Sequence, residues 1–378
     1  MKIAIVTRQM ITGGVERALI GMLGAMNSHD EVDLYVERLG GELFEELPDW
    51  INIIEIPRKY SDVSIKSLIE KVRSVKPRLE LHFCKEYIKQ CELSARIFPM
   101  VEKEYDMAIA YHAPNTIPVF YVIHNLKAKK KVMWLHGDVE TNHMTGDFAK
   151  SYYQHYDKFF AVSKQLKEIF IKHFPELSHR CEVFYNIIDV DYLKMQAENA
   201  PTYTDDFKDI RILTIGRLDY QKGIDLAVEV CKKLLDEGIP VRWYVCGEGS
   251  ERNHIEAMIS KYNIQENFLL LGNQKNPYGY LKDCDIYVQT SRTEGYCIAT
   301  NEAKIFGKPV VTTDVCGVRE QFVHGKSGIL CEISVDKLFQ SINRLIQQPE
   351  VRFKLAENVK FEKKRKEFIK FYQVINKI

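Results

Sequence analysis

The sequence has no window of roughly 20 uncharged apolar residues, so no helix is expected to span a membrane. It has no Cys-x-x-Cys pair and no histidine-rich tract, and its nine cysteines are thinly spread. A zinc site is therefore not expected, and reduced thiols are the simplest account of that odd number. Neither charge dominates: 53 basic against 52 acidic side chains leave a net +1, which provides no global field toward nucleic acid. With 20 glycines and 12 prolines in 378 residues, collagen-like and low-complexity classes are excluded. The opening MKIAIVTRQMITGG lacks the basic start, long apolar stretch and small-residue cleavage site of a secretory signal. A cytoplasmic location is expected. Also missing is a G-x-G-x-x-G after the first apolar run. That place reads Thr12-Gly13-Gly14-Val15-Glu16-Arg17, which disfavours an ordinary NAD site.

What is present is ordinary globular chemistry, 46% hydrophobic and 28% charged, at a length that implies two domains. Buried-strand runs alternate with helical stretches. The expected strands are Lys2–Arg8, Val32–Val36, Ile51–Ile56, Asp106–Tyr111, Lys131–Leu135, Phe159–Val162 and Glu182–Asn186. After Pro201 follow Arg211–Ile215, Val241–Cys246, Asn267–Leu271, Asp285–Gln289, Pro309–Thr313 and Gly328–Cys331. Such alternation predicts an α/β fold of two doubly wound parallel sheets, with ligands at the carboxyl ends of the strands in a shared interdomain cleft. The weakly periodic polar stretch between Asn186 and Arg211 marks the boundary. The expected domains are 1–192 and 193–355, with a helical tail over 356–378 that could cross back to the first domain.

Charge is uneven in the first half. Residues 1–57 hold 4 basic and 10 acidic side chains, whereas 58–131 hold 15 basic and 8 acidic, including KAKKK at Lys127–Lys131. Solvated helix faces explain this, as does a surface that meets anionic lipid headgroups, where each basic residue contributes roughly 1 kcal/mol. The tail repeats the theme, with Phe361, Phe368, Tyr372 and Ile375 on one helical stripe.

Three segments carry candidate chemistry. Gly13-Gly14 leads from a strand into a helix, a turn where backbone N–H groups can approach an anion. Gly216-Arg217-Leu218 and Lys222-Gly223 place two cations in one strand-to-helix loop, where together they can clamp a diphosphate without a metal. Ser291–Cys297 runs into a helix expected over Ile298–Phe306, with Glu294 at the loop end and Glu302 on the second turn. Carboxylates accept hydrogen bonds from neighbouring sugar hydroxyls, and the N–H groups of Gly295, Tyr296 and Cys297 lie at a helix start that favours phosphate. Two Asp-x-Asp strings, Asp189-Val190-Asp191 and Asp283-Cys284-Asp285, fall by the boundary and at a helix end and read as incidental.

GRLDYQKG (Gly216–Gly223), CGEGSER (Cys246–Arg252) and EGYCIATNEAKIFGKPVV (Glu294–Val311) together resemble the retaining, nucleotide-sugar-dependent glycosyltransferases of the GT-B fold, specifically family 4. GGVER (Gly13–Arg17) and WLHGD (Trp134–Asp138) are also similar to family motifs, and the family's Glu-x7-Glu pair falls on Glu294 and Glu302. The resemblance implies that Arg217 and Lys222 hold the donor diphosphate, helped by Gly13, Gly14 and Gly216. It implies that Glu302 binds the ribose, that Glu294 binds the transferred sugar near O3 and O4, and that His136 sits at the reaction centre. Gly247 and Gly249 would approach the base through backbone groups, Gly295, Tyr296 and Cys297 would line the donor, and Arg17 and Asp138 would face the acceptor. The pair Tyr296-Cys297 stands where aromatic-glycine is usual, which bears on donor identity. The implied activity is metal-independent and uses no cofactor. It transfers a hexose or N-acetylhexosamine, from UDP foremost, to a glycan or polyprenyl-linked acceptor, as in bacterial surface-polysaccharide assembly. Two other readings fit the same residues: a nucleotide-sugar 2-epimerase of the same fold, and a non-catalytic sugar-nucleotide-binding subunit.

Overall fold

A computed structural model of the chain describes residues 1–26, 29–56, 75–358 and 372–373. The chain forms two compact units, one built mainly from Met1–Ile11 and Val15–Ile187, the other mainly from the residues after Ile187 together with the short stretch Thr12–Gly14. In the first unit, β1 (Lys2–Thr7), β2 (Glu31–Val36), β3 (Asn52–Glu55), β4 (Glu104–Ala113), β5 (Lys127–Leu135), β6 (Lys158–Ala161) and β7 (Cys181–Val183) form one sheet. Its order is β3-β2-β1-β4-β5-β6-β7, with every pair parallel. In the second unit, β8 (Ile210–Ile215), β9 (Val241–Cys246), β10 (Phe268–Gly272), β11 (Ile286–Gln289), β12 (Val310–Thr313) and β13 (Ile329–Cys331) form a parallel sheet ordered β10-β9-β8-β11-β12-β13.

These strands form where the sequence concentrates Val, Ile, Leu and aromatic residues, because a parallel sheet covered by helices on both faces buries nearly every side chain. In β11 and β12 all four residues are buried. The second unit shows the period-two division of such a sheet. Ile212, Trp243, Val245, Ile286 and Val288 belong to one core, and their neighbours Leu213, Tyr244, Cys246 and Tyr287 belong to another on the opposite face. In both sheets the chain runs outward from the first strand, then returns to lay the fourth beside it. That reversal opens a crevice at the strands' carboxyl ends, between β1 and β4 in one unit and between β8 and β11 in the other.

All 13 expected strands form, with ends shifted by a few residues. The largest shift is in β5, which starts at Lys127 because Glu104, Tyr105 and Met107 of β4 pair with Lys127, Ala128 and Lys130. KAKKK is thus strand, not a helix face. The strand is held there by the backbone ladder, and Lys127 and Lys129 point to solvent. Several cations of the basic segment are neutralised locally: Lys129 by Asp106 at 2.7 Å, Lys103 by Asp33 and Glu31, and Lys89 and Arg96 by Glu92. The basic residues at 58–73 lie outside the described residues, as does most of the tail, including Phe361, Phe368 and Ile375. Of the tail's stripe, Tyr372 is described, and its hydroxyl donates to the Asp30 carboxylate in the first unit.

The stretch expected to be irregular between Asn186 and Arg211 contains a helix, Val190–Glu198. Asp189 caps it, its carboxylate accepting from the Tyr192 N–H at 3.0 Å. Leu193 and Ala197, four residues apart, pack with Tyr278 and Leu281 on one face of the second sheet. Two buried positions in nine residues leave little periodicity to read. The second Asp-x-Asp string is likewise committed to structure. Asp283 accepts from the Thr202 hydroxyl at 2.7 Å, and Asp285 from the Arg211 N–H at 2.8 Å.

Candidate active site

The strongest convergence of predicted residues lies where β8 and β11 end, at the reversal of the second sheet. The loop after β8 carries Gly216, Arg217 and Lys222, and the loop after β11 carries Ser291 to Cys297. Gly223 joins them. It adopts the left-handed conformation (φ +61°), and a Cβ there would overlap the Thr290 carbonyl, so the close approach of the two loops requires glycine. The Thr290 hydroxyl closes the junction by donating to the Gly223 carbonyl at 2.8 Å. Arg292 clamps the other side. It forms a bidentate pair with Asp225 at 2.8 and 2.5 Å, donates to the Tyr220 carbonyl, and stacks its guanidinium on the Tyr220 ring at 4.2 Å.

Within this frame the Lys222 ammonium donates to Glu294 Oε1 at 2.6 Å across 72 positions of sequence. Burial is the largest single influence and works against the ammonium, but the Glu294 charge and hydrogen bond, together with the neighbouring Cys297, outweigh it and hold the Lys222 pKa above its usual value. The same oxygen accepts from the Ser291 hydroxyl at 2.7 Å. Glu302, 3% exposed, accepts from the Tyr278 hydroxyl at 2.9 Å on the next helix turn inward. The helix Ile298–Ile305 begins just after Cys297. Cys297 is buried, and its thiol is pushed up to about 12, chiefly by that burial and then by the Glu294 charge. It occupies space as a neutral group. Arg217 is 57% exposed at the side chain and turns to Asp219 at 3.1 Å, while remaining close enough to oppose the Lys222 charge.

The expected glycine contacts are used partly by the protein itself. The Gly216 N–H donates to the Cys246 carbonyl, the Gly247 N–H to the Gly272 carbonyl, and the Leu218 N–H to the Glu248 carbonyl. A Cβ at Gly247 would overlap the Gly216 carbonyl, and one at Gly249 the Leu218 backbone. These two glycines let the loops after β8 and β9 lie against each other.

The other predicted residues lie outside these loops: Arg17, His136 and Asp138 belong to the first unit, whereas Gly13 and Gly14 group with the second. Gly13 and Gly14 form the turn after β1, with Gly14 opening the helix Gly14–Ala25. Arg17 on that helix pairs with Glu46 at 3.7 Å. His136 follows β5. Its Nε2 is buried with no hydrogen-bond partner among the described residues, and its ring lies 4.7 Å from that of Tyr111. Burial depresses its pKa to about 3, so it is neutral at physiological pH. Asp138, also buried, accepts from the Glu140 N–H at 2.7 Å, and its carbonyl accepts from the Asn142 amide. It shapes the turn that presents His136.

Sequence reasoning missed Tyr278, Tyr287, Gln289 and Asp225, and gave Ser291 and Arg292 no role of their own within the segment it singled out. A signal exists where a polar residue interrupts an otherwise apolar strand end, as Gln289 does at the end of β11; Tyr278 and Asp225 lie on helices and carry none. Among the described residues no group of three or more His, Cys, Asp or Glu could hold a metal ion, and no helix is long and apolar enough to cross a membrane.

Two family profiles match the chain: Glycosyltransferase Family 4 over residues 12–192 and Glycosyl transferases group 1 over residues 196–361. The chain belongs to glycosyltransferase family 4. Relatives include an uncharacterized glycosyltransferase of Methanocaldococcus jannaschii, 27% identical over 63% of this chain and 66% of that protein. A second is the Campylobacter jejuni N-acetylgalactosamine-N,N'-diacetylbacillosaminyl-diphospho-undecaprenol 4-alpha-N-acetylgalactosaminyltransferase, 29% identical over 50% and 51%. A third is the Staphylococcus aureus poly(ribitol-phosphate) alpha-N-acetylglucosaminyltransferase, 31% identical over 44% and 34%. The matched stretches thus span from about a third to just under two thirds of these family members. Anabaena HepE, solved in complex with UDP and glucose, superposes with a TM-score of 0.75 at 16% identity over all of both chains. WaaG, a glycosyltransferase involved in lipopolysaccharide biosynthesis, superposes at 0.64 and 16% over 99% of both. At that identity the likeness speaks to fold alone. The fold is the family's GT-B architecture of two doubly wound parallel sheets.

Proposed function

We propose that this family 4 chain is a retaining, metal-independent glycosyltransferase. It moves a hexose or N-acetylhexosamine from a UDP-linked donor to a hydroxyl of a glycan or lipid-linked acceptor. The observation that carries the reading is the Lys222–Glu294 pair at the β8/β11 crevice, a cation for phosphate beside an acceptor for sugar hydroxyls. The relatives' names add support: one acts on a diphospho-undecaprenol-linked sugar and another on poly(ribitol phosphate). A lipid-linked acceptor places the chain's work at the inner face of a membrane.

In the proposed reaction the bond between the anomeric carbon and the diphosphate oxygen breaks. The acceptor oxygen bonds to that carbon from the same face, and the acceptor's proton passes to the departing diphosphate. Negative charge grows on the leaving group, and Lys222 and Arg217 stabilise it as it grows. Lys222 exchanges Glu294 for phosphate oxygens, so donor binding frees the carboxylate to accept from the sugar. His136, neutral, serves as a hydrogen-bonding group rather than a cation.

The test is incubation of the chain with UDP-glucose, UDP-galactose and UDP-N-acetylglucosamine, with and without EDTA, followed by mass spectrometry. Slow donor hydrolysis, or transfer to added glycan, that EDTA leaves unchanged is expected. Glu294→Ala should lose it by ~10²-fold or more with an unchanged circular dichroism spectrum. Conversion of one nucleotide sugar to another without acceptor would point to the epimerase instead.

A further inference from the structure

Glu294 does not stand alone in the second unit. Behind it, three fully or almost fully buried polar side chains of one strand and its exit follow each other at alternate positions: Tyr287, Gln289 and Ser291, 0%, 1% and 0% exposed. The Tyr287 hydroxyl donates to Gln289 Oε1 at 2.7 Å, Gln289 Nε2 donates to the Ser291 oxygen at 2.9 Å, and the Ser291 hydroxyl donates to Glu294 Oε1 at 2.7 Å. Tyr287 is fixed in turn by the Ile215 N–H and carbonyl, each at 3.4 Å, at the end of β8. The Ser291 carbonyl is pinned by the Thr313 hydroxyl at 2.5 Å. Buried polar groups cost free energy unless paired, and here each side chain of the row is hydrogen-bonded to the next.

The row runs one way. The Tyr287 hydroxyl lies 2.7 Å from the amide oxygen against 3.4 Å from the Ile215 carbonyl, and giving its proton to the nearer acceptor turns the amide N–H toward Ser291. Ser291, already accepting, then gives its proton to Glu294. Oε1 therefore takes both the Ser291 hydroxyl and the Lys222 ammonium, while Oε2 accepts no hydrogen bond among the described residues. We propose that Tyr287, Gln289 and Ser291 form a directional relay that commits Oε1 of Glu294 to the protein and presents Oε2 to the transferred sugar, with Gln289 as the positioning residue that sets its direction. This rests on the glycosyltransferase reading above, in which Glu294 meets the sugar.

The relay makes a prediction that a merely structural role does not. In Gln289→Glu the introduced group, when protonated, can still accept from Tyr287 and donate to Ser291. Once ionised it can only accept, so it draws the Ser291 proton away from Glu294. The charged groups around this position are Lys222, Glu294 and Glu302. The Cys297 thiol and Tyr287 hydroxyl stay neutral over the range tested, since burial raises both.

The experiment is calorimetric titration of the full chain with UDP, UDP-glucose, UDP-galactose and UDP-N-acetylglucosamine between pH 5 and 9. The ratio of the best nucleotide sugar's affinity to that of UDP isolates the sugar's share. The expected result is a ratio that is flat with pH in the wild type and falls about tenfold as pH rises in Gln289→Glu, the scale of one hydrogen bond to a charged group. In Gln289→Met, which has no donor, the ratio should be reduced about tenfold at every pH. UDP affinity should hold in both variants, because Lys222 remains. A ratio in Gln289→Glu that tracks the wild type, or a parallel loss of UDP binding in both variants, overturns the relay and leaves the glycosyltransferase reading standing. A wild-type chain that binds neither UDP nor any of the three donors removes the reading, and the relay with it.

Discussion

At the scale of single residues, burial and charge decide what each side chain can do. Lys222 is kept protonated by Glu294 against the pull of burial, so it is a permanent cation awaiting phosphate. Lys222→Ala should weaken UDP binding by roughly 10- to 100-fold, the loss of a charge-assisted contact, as read by calorimetry near pH 7. His136 shows the opposite balance. With a native pKa of about 3 set by burial, against an ordinary value near 6.5, its contribution to stability is full above about pH 6.5. It declines as pH falls toward 3, because the unfolded chain takes up a proton that the native chain refuses. Urea melts of the wild type and His136→Gln at pH 7.5, 5.5 and 4.5 should show a shallower acid loss in the variant. The difference is at most about 1.4 kcal/mol per pH unit. Equal slopes would mean that His136 is not held neutral.

At the scale of elements, the candidate site depends on two strand-to-helix loops held in register by a left-handed glycine. Gly223→Ala asks for a Cβ where the Thr290 carbonyl already lies, at a φ that costs an L-residue of order 1–3 kcal/mol even with free space. Thermal melts should show a clear loss of stability, with UDP binding weakened beyond it because Lys222 is the adjacent residue. A variant as stable as wild type would show that the loops can separate cheaply. The helix Val190–Glu198 offers a second check. Leu193 is 5% exposed on the face of the second sheet, so Leu193→Ala should cost about 2–5 kcal/mol in denaturant unfolding. A segment that were only linker would tolerate the change.

At the scale of the whole molecule, the second unit carries its own core on each face of its sheet and all of the Lys222–Glu294 machinery. Residues 188–358 expressed alone should therefore melt in one cooperative transition by circular dichroism and retain UDP binding. Loss of either would mean that the remainder of the chain supplies part of that unit's stability or of the nucleotide's contacts.

The sequence by itself determined the strands, their parallel class and the family. Period-two apolar runs and short punctuated loops are local signals, and a sheet buried on both faces writes them strongly. It also marked Lys222, Glu294 and Glu302 as residues to watch, through composition at loop ends and family resemblance. It did not show the Val190–Glu198 helix, whose two buried positions are too few for a period, or the extension of β5 through three further lysines, which the ladder with β4 holds. Nor could it show that Lys222 and Glu294 touch across 72 positions, that Arg292 locks onto Asp225, or that Tyr287, Gln289 and Ser291 line up behind the carboxylate. Those pairings depend on which strands become neighbours, and β8 lies beside β11 only because the chain reverses direction in the sheet. Hydrogen bonds act over about 3 Å, so their partners are chosen by tertiary proximity, which no local pattern encodes.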